Sequence, residues 1–136
     1  MSKTVLIVED NHLDARLFQD LLFVAGYDSV VANDGMEAIA AARQGRPDLI
    51  LLDLQLPRMS GLEIVRFLRQ DRALRTVPVV ATSAFDHRDS WRSLLEAGFD
   101  DFVEKPVMFD SFRSKIEYFL EQPARRAGAV AILVAI

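Results

Sequence analysis

A chain of 136 residues suits one globular domain and is too short for two. About half of it is apolar (51%), enough to cover both faces of a sheet, and a net charge of −4 gives no basic surface of the kind nucleic-acid binding uses. The absence of cysteine excludes disulfides, thiolate catalysis and cysteine-ligated zinc.

The first apolar stretch, Thr4 to Val8, is too short for a signal-peptide core and runs at once into acids, which predicts a cytoplasmic protein. Val5-Leu6-Ile7-Val8, Leu49-Ile50-Leu51-Leu52 and Val77 to Ala81 are unbroken apolar runs, as parallel strands covered on both faces require. Val30-Val31-Ala32 and Phe102-Val103 sit among polar residues and read as edge strands. Helical patterns alternate with these strands. Leu13, Leu17, Phe18, Leu21, Leu22 and Ala25 form one stripe that Gly26 stops. Asp34 and Glu37 form a capping pair before a helix carrying Met36, Ile39 and Ala40 and ending at Gly45; Ser60 and Glu63 repeat the pair before Leu62, Val65 and Leu68. Trp91, Leu94 and Leu95 mark a fourth helix ending at Gly98, and Phe112, Ile116, Phe119 and Leu120 a fifth that stops before Pro123. His12 and His87 stand alone and read as surface histidines.

The pattern is (βα)5, an α/β doubly wound parallel sheet with right-handed crossovers. Placing the two mixed strands at the edges gives the order 2-1-3-4-5, the flavodoxin/CheY-like arrangement. Ligands then bind beyond the carboxyl ends of the strands, beside the switch point between strands one and three. Those ends hold Glu9 and Asp10, Asp53, Thr82 and Ser83, and Lys105. Three carboxylates in one crevice repel unless a cation sits among them, and Mg²⁺ with oxygen ligands answers that need. An acid, a hydroxyl and an ammonium around such an ion make a phosphoryl site, with Asp53 as nucleophile and Lys105 and Ser83 on the equatorial oxygens. Singly, each residue has an ordinary reading: turn acids at 9–10, a loop cap at Asp53, a loop hydroxyl at Ser83, a surface lysine before a turn. Their joint appearance at one end of four strands is what argues for a site.

Val-Glu-Asp-Asn (8–11), Asp-Leu-Ile-Leu-Leu-Asp-Leu-Gln-Leu-Pro (48–57), Ser-Gly (60–61), Pro-Val-Val-Ala (78–81) and Lys-Pro (105–106) together resemble the receiver domain of two-component response regulators. The resemblance spans about residues 3–122 and is nearest to DivK-type single-domain regulators. It implies that Asp53 is the phosphoacceptor, that Asp10, Asp53 and the backbone carbonyl of Gln55 ligate Mg²⁺, and that Glu9 holds a metal-bound water. It further implies that Lys105 pairs with Asp53 at rest and with the phosphoryl group afterwards, and that the peptide bond before Pro106 is cis. Ser83, five residues after Pro78 and before the small Ala84, matches the switch hydroxyl, with Thr82 the competitor one register away. Phe102, three residues before Lys105, matches the switch aromatic, and an ordinary edge-strand core aromatic fits it as well. Met108 stands where a capping Ser or Thr is common, leaving Asp110 to serve the helix dipole. Gln55 and Phe85 flank the site.

The implied function is a single-domain response regulator in a phosphorelay. It takes a phosphoryl group from a sensor histidine kinase or histidine phosphotransferase and acts on a downstream protein target through noncovalent contacts, with no nucleic acid, no membrane and no enzymatic turnover beyond its own phosphorylation and dephosphorylation. The helix from Leu13 to Ala25 is the expected docking face for the kinase. A haloacid-dehalogenase-type phosphatase wants a second Asp two positions after the first, where this chain has Gln55. An FMN-binding flavodoxin-like module wants a Ser/Thr/Gly-rich loop where Glu9-Asp10-Asn11 stands. A receiver-like module that is never phosphorylated would not need the full set of acids, hydroxyl and lysine. The receiver unit is expected to cover residues 1–122. Residues 123–136 form an apolar tail that is either dispensable or a packing or dimerisation element, and too short to span a bilayer as a helix, which needs ~20 residues.

Overall fold

Strand and helix alternate through the computed structural model, which describes residues 2–84 and 91–121. Phe85, His87, Pro123 and the apolar tail lie outside the described residues. The elements are β1 (Thr4–Val8), α1 (His12–Ala25), β2 (Asp28–Ala32), α2 (Gly35–Gly45), β3 (Leu49–Asp53), α3 (Gly61–Gln70), β4 (Val79–Ala84), α4 (Trp91–Ala97), β5 (Asp101–Lys105) and α5 (Phe109–Leu120). All neighbouring strands run parallel, in the order β2-β1-β3-β4-β5. The apolar strands β1, β3 and β4 occupy the middle because only there are both faces covered.

Alternation along each strand sorts the side chains into two layers. Leu6, Val8, Ile50, Leu52, Val79 and Ala81 pack with residues of α2, α3 and α4. Val5, Ile7, Leu49, Leu51, Val80 and Val103 pack with α1 and α5, where Phe18 and Phe112 stack at 5.7 Å between centroids. Three helices open on side-chain caps, two of them the pairs read from the sequence and the third at Asn11. Asn11 Oδ1 accepts from the Leu13 and Asp14 amides, Asp34 accepts from Glu37, and Ser60 with Glu63 closes a reciprocal capping box. α5 opens at Met108 with no side-chain cap, as its sequence requires, and Asp110 lies in its first turn. Gly26 stops α1 at φ 95°, a left-handed conformation that glycine adopts without strain.

The helical stripes are narrower than their apolar content suggests. In α1 the core side is Ala15, Phe18 and Leu22, with Leu21 and Ala25 partly buried against it. Leu13 (81% exposed) and Leu17 (42%) point to solvent, correcting the six-residue stripe. Successive helical residues turn by roughly 100°, so Leu17 lies round the helix from Phe18, at the margin of the buried stripe. α2 likewise buries Ala38, Ile39 and Ala42 and exposes Met36 and Ala40, and α4 buries Leu94 while Leu95 is exposed. β4 also begins two residues later than its apolar run and continues through Thr82, Ser83 and Ala84, which pair with β5.

One polar side chain ties α3 to the segments bordering β4 and β5. The Arg69 guanidinium, at the end of α3, donates to the carbonyls of Gly98, Leu74, Arg75 and Val77 and to Asp100 Oδ2 at 2.9 Å. Asp100 Oδ2 also accepts from the Val79 amide, so α3, β4 and the turn after α4 share one network. Truncation strands several carbonyls at once. Arg69→Met is expected to cost about 2–3 kcal/mol, the scale of a lost charged hydrogen-bonding group, read from urea unfolding midpoints. A variant with wild-type stability would show the network to be idle.

Candidate functional site

The carboxyl ends of β1, β3 and β5 bring four charged groups into one crevice. Glu9 and Asp10 follow β1 directly, and the Glu9 amide donates to the Ala32 carbonyl at 3.0 Å, which fixes the turn. Asp53 is the last residue of β3 and Lys105 the last of β5, followed by a cis peptide to Pro106. Carboxylate oxygens of Glu9, Asp10 and Asp53 all lie within 4.8 Å of one another, with Glu9 and Asp53 buried and Asp10 exposed. The loop after β3 folds tightly over this end. A Cβ on Gly61 would stand 2.6 Å from the Asp53 carbonyl oxygen and 2.9 Å from the Leu54 Cα, so glycine is a steric requirement at this position.

Lys105 is less simply paired than the resemblance implied. Its Nζ donates to Glu9 Oε1 at 2.7 Å and to Asp14 Oδ2 at 3.0 Å, and stands 3.8 Å from Asp53 Oδ2. The expected pair with Asp53 is therefore an ion pair at longer range, and the hydrogen bonds go to the acids of β1 and α1. Asp53 Oδ1 accepts instead from the Gln55 amide at 3.0 Å, and Asp14 sits on the first turn of α1, within reach of the lysine. Asp14 was not singled out from sequence. Its signal was the Asn11 cap, which places position 14 in the first helical turn, where an acid also favours the helix dipole.

Electrostatics in the crevice follow from burial. Burial of the Glu9 carboxyl raises its pKa to about 7; the Lys105 hydrogen bond opposes this, and the hydrogen bond and repulsion with Asp53 add to it. Burial alone would lower Lys105, but its bonds to Glu9 and Asp14 and the charge of Asp53 hold it above the ordinary lysine value. Crowded oxygen donors with too little positive charge fit a hard divalent cation, and the donor set contains no softer ligand.

The remaining predicted residues lie around this centre. Gln55 is exposed, and its amide holds Asp53. Thr82 pairs with Asp53 in the β3–β4 register and is buried, on the side of the sheet that Val80 faces. Ser83 is half-buried on the opposite side and donates to the Ala84 carbonyl at 3.3 Å. Phe102 is half-buried too. Its ring lies 5.3 Å from that of Trp91 on one side and 4.8 Å from the Lys115 ammonium on the other, and Lys115 also donates to the Phe102 carbonyl.

The sequence profile of the response regulator receiver domain matches residues 5–117. The chain belongs to the response-regulator receiver family. Receivers are phosphoacceptor signalling domains rather than enzymes with a separate substrate, and they bind Mg²⁺ in an acidic pocket such as the one formed here. The polar-differentiation response regulator DivK of Brucella anthropi is 41% identical over 120 residues, which cover 88% of this chain and 98% of that protein. Its counterpart in Brucella ovis is 40% identical over the same length. Among solved structures, the receiver domain of the sensor histidine kinase PA1611 of Pseudomonas aeruginosa, with a magnesium ion coordinated in its active-site cleft, superposes with a TM-score of 0.81 at 27% identity and covers 89% of this chain and 99% of that one. The chemotaxis protein CheY4 of Vibrio cholerae superposes with a TM-score of 0.82 at 25% identity, covering 88% and 100%.

The raised Glu9 carboxyl has a measurable consequence in chelator-treated protein. The folded state holds a proton there that the unfolded chain, with an ordinary value near 4.5, has released. Stability from this group is fully present below about 4.5 and is lost as pH rises through about 7. The stability of wild type minus that of Glu9→Gln is therefore expected to fall between pH 5 and pH 8. A difference that rises or stays level across that interval would refute the buried-carboxyl account.

Proposed function

We propose that Asp53 accepts a phosphoryl group from the phosphohistidine of a sensor histidine kinase or a histidine phosphotransferase. In that step a carboxylate oxygen of Asp53 forms the new O–P bond as the N–P bond breaks. The departing imidazole keeps the electron pair and takes a proton from solvent. The observation that carries this reading is a buried nucleophilic carboxylate with a lysine ammonium 3.8 Å away and two further acids beside it. Asp10, Asp53 and the Gln55 carbonyl would hold Mg²⁺ directly, with Glu9 on a bound water, and the ion would supply positive charge to the phosphoryl oxygens. Lys105 would exchange part of its bonding to Glu9 and Asp14 for a phosphoryl oxygen.

Ser83 is the switch hydroxyl in this reading and Phe102 the switch aromatic. Partial exposure favours Ser83 over Thr82, which the strand row encloses. Driving a population from mostly off to mostly on requires ~5.5 kcal/mol of differential stabilisation. Two or three charge-assisted hydrogen bonds at ~1.5–3 kcal/mol each are of that order.

Leu13 and Leu17, exposed one turn apart beside Asp14, support α1 as the face that meets the kinase or phosphotransferase. Like the DivK proteins it resembles, the chain would act in polar differentiation through a downstream protein target. No described helix is long and apolar enough to cross a membrane, in keeping with a cytoplasmic role. The functional unit is residues 1–122, with 123–136 outside it.

Acetyl phosphate with Mg²⁺ is expected to add the mass of one HPO₃ to the intact chain. Chelator and Asp53→Asn should each abolish the gain, and Lys105→Ala should slow it roughly 10²-fold, the scale of losing one group that stabilises developing charge. An undiminished gain in Asp53→Asn would overturn the assignment.

A further inference from the structure

The amino end of the sheet, opposite the acidic crevice, carries a second concavity. Leu6, Val30, Ala41, Gly45 and Pro47, together with Thr4 and Gln44, line a mainly apolar groove of about 280 Å³ between the β2 edge and α2. Small-molecule sites span ~300–1,000 Å³ and carry several convergent polar groups; this smaller groove has only Thr4 and Gln44. Val30 is half-exposed on the edge strand, an unusual place to leave a valine uncovered.

The described chain ends close by. Glu121 accepts a hydrogen bond from the Tyr27 hydroxyl at 2.7 Å, and Tyr27 immediately precedes β2. Three strand residues at ~3.3 Å each place Val30 about 10 Å beyond Tyr27. Residues 122–128 can span up to ~23–25 Å when extended. They are followed by Ala129 to Ile136, eight residues without a polar or charged side chain. The DivK relative is matched over 120 residues that take in 98% of its own length, so it has no room for a comparable extension.

We propose that residues 129–136 of the same chain dock into the β2–α2 groove, covering the exposed Val30 and the half-buried Ala41. Residues 122–128 carry them around the β2 edge, where Arg125 and Arg126 pass the exposed Asp28. The segment occupies the face remote from Asp53, so it shields an apolar edge strand without obstructing the crevice.

The chain has no cysteine, which makes engineered pairs unambiguous. Gln44→Cys combined with Val130→Cys, and separately with Leu133→Cys, is oxidised in the full-length protein and analysed by intact mass and non-reducing electrophoresis. An intramolecular disulfide in at least one pair is expected. Its yield should fall in a Val30→Asp background to that of a control pair with Arg113→Cys on α5. Closure of neither pair, closure only between two chains, or equal closure with the control would overturn the proposal. Bridges between chains would identify a second copy's tail as the occupant.

Discussion

The repulsion among Glu9, Asp10 and Asp53 is the constraint around which the rest of the molecule is arranged. Burying the Glu9 carboxyl is costly in itself and Asp53 beside it adds to the cost, which Glu9 registers as a proton held up to about pH 7. Lys105 offsets part of it. The ammonium comes from the far edge strand, reaches Glu9 and Asp14 at hydrogen-bonding distance, and leaves Asp53 at 3.8 Å. That incomplete neutralisation is what makes the crevice receptive to more positive charge. It also leaves the Asp53 carboxylate without a direct lysine hydrogen bond.

The scaffold supplies that arrangement through topology. The order β2-β1-β3-β4-β5 sets β1 and β3 side by side, so that residues 44 positions apart in sequence share one end of the sheet. β4 and β5 then bring Thr82, Ser83 and Lys105 up beside them. The Arg69 network clasps α3 to the turns bordering β4 and β5 and fixes the sheet's amino end. Opposite ends of the same strands thus divide the work: one holds polar tension, the other relieves it.

Much of this was legible in the sequence because its signals are local or periodic. Unbroken apolar runs marked the central strands, and capping pairs at Asp34–Glu37 and Ser60–Glu63 marked two helix starts that the structure reproduces. The acids at 9, 10 and 53 and Lys105 were legible as a group because topology sends them to one end. What escaped was what depends on angle and reach. Leu13 and Leu17 look like core residues until the helix is rotated so that Phe18 and Leu22 face β1 and β3. Asp14 looks like any acid in a first turn until Lys105, 91 residues away, arrives beside it. The contacts of Arg69 are mostly to backbone carbonyls, which leave no mark in a side-chain pattern.

Lys105 and a bound divalent cation compete, on this view, for the same negative charge. Calorimetric titration of Mg²⁺ into the full-length protein at low ionic strength, comparing wild type with Lys105→Met, tests that competition directly. Tighter Mg²⁺ binding in the variant is the predicted result, since the metal then meets carboxylates no longer shared with an ammonium. Unchanged or weaker binding would contradict the electrostatic account of the crevice.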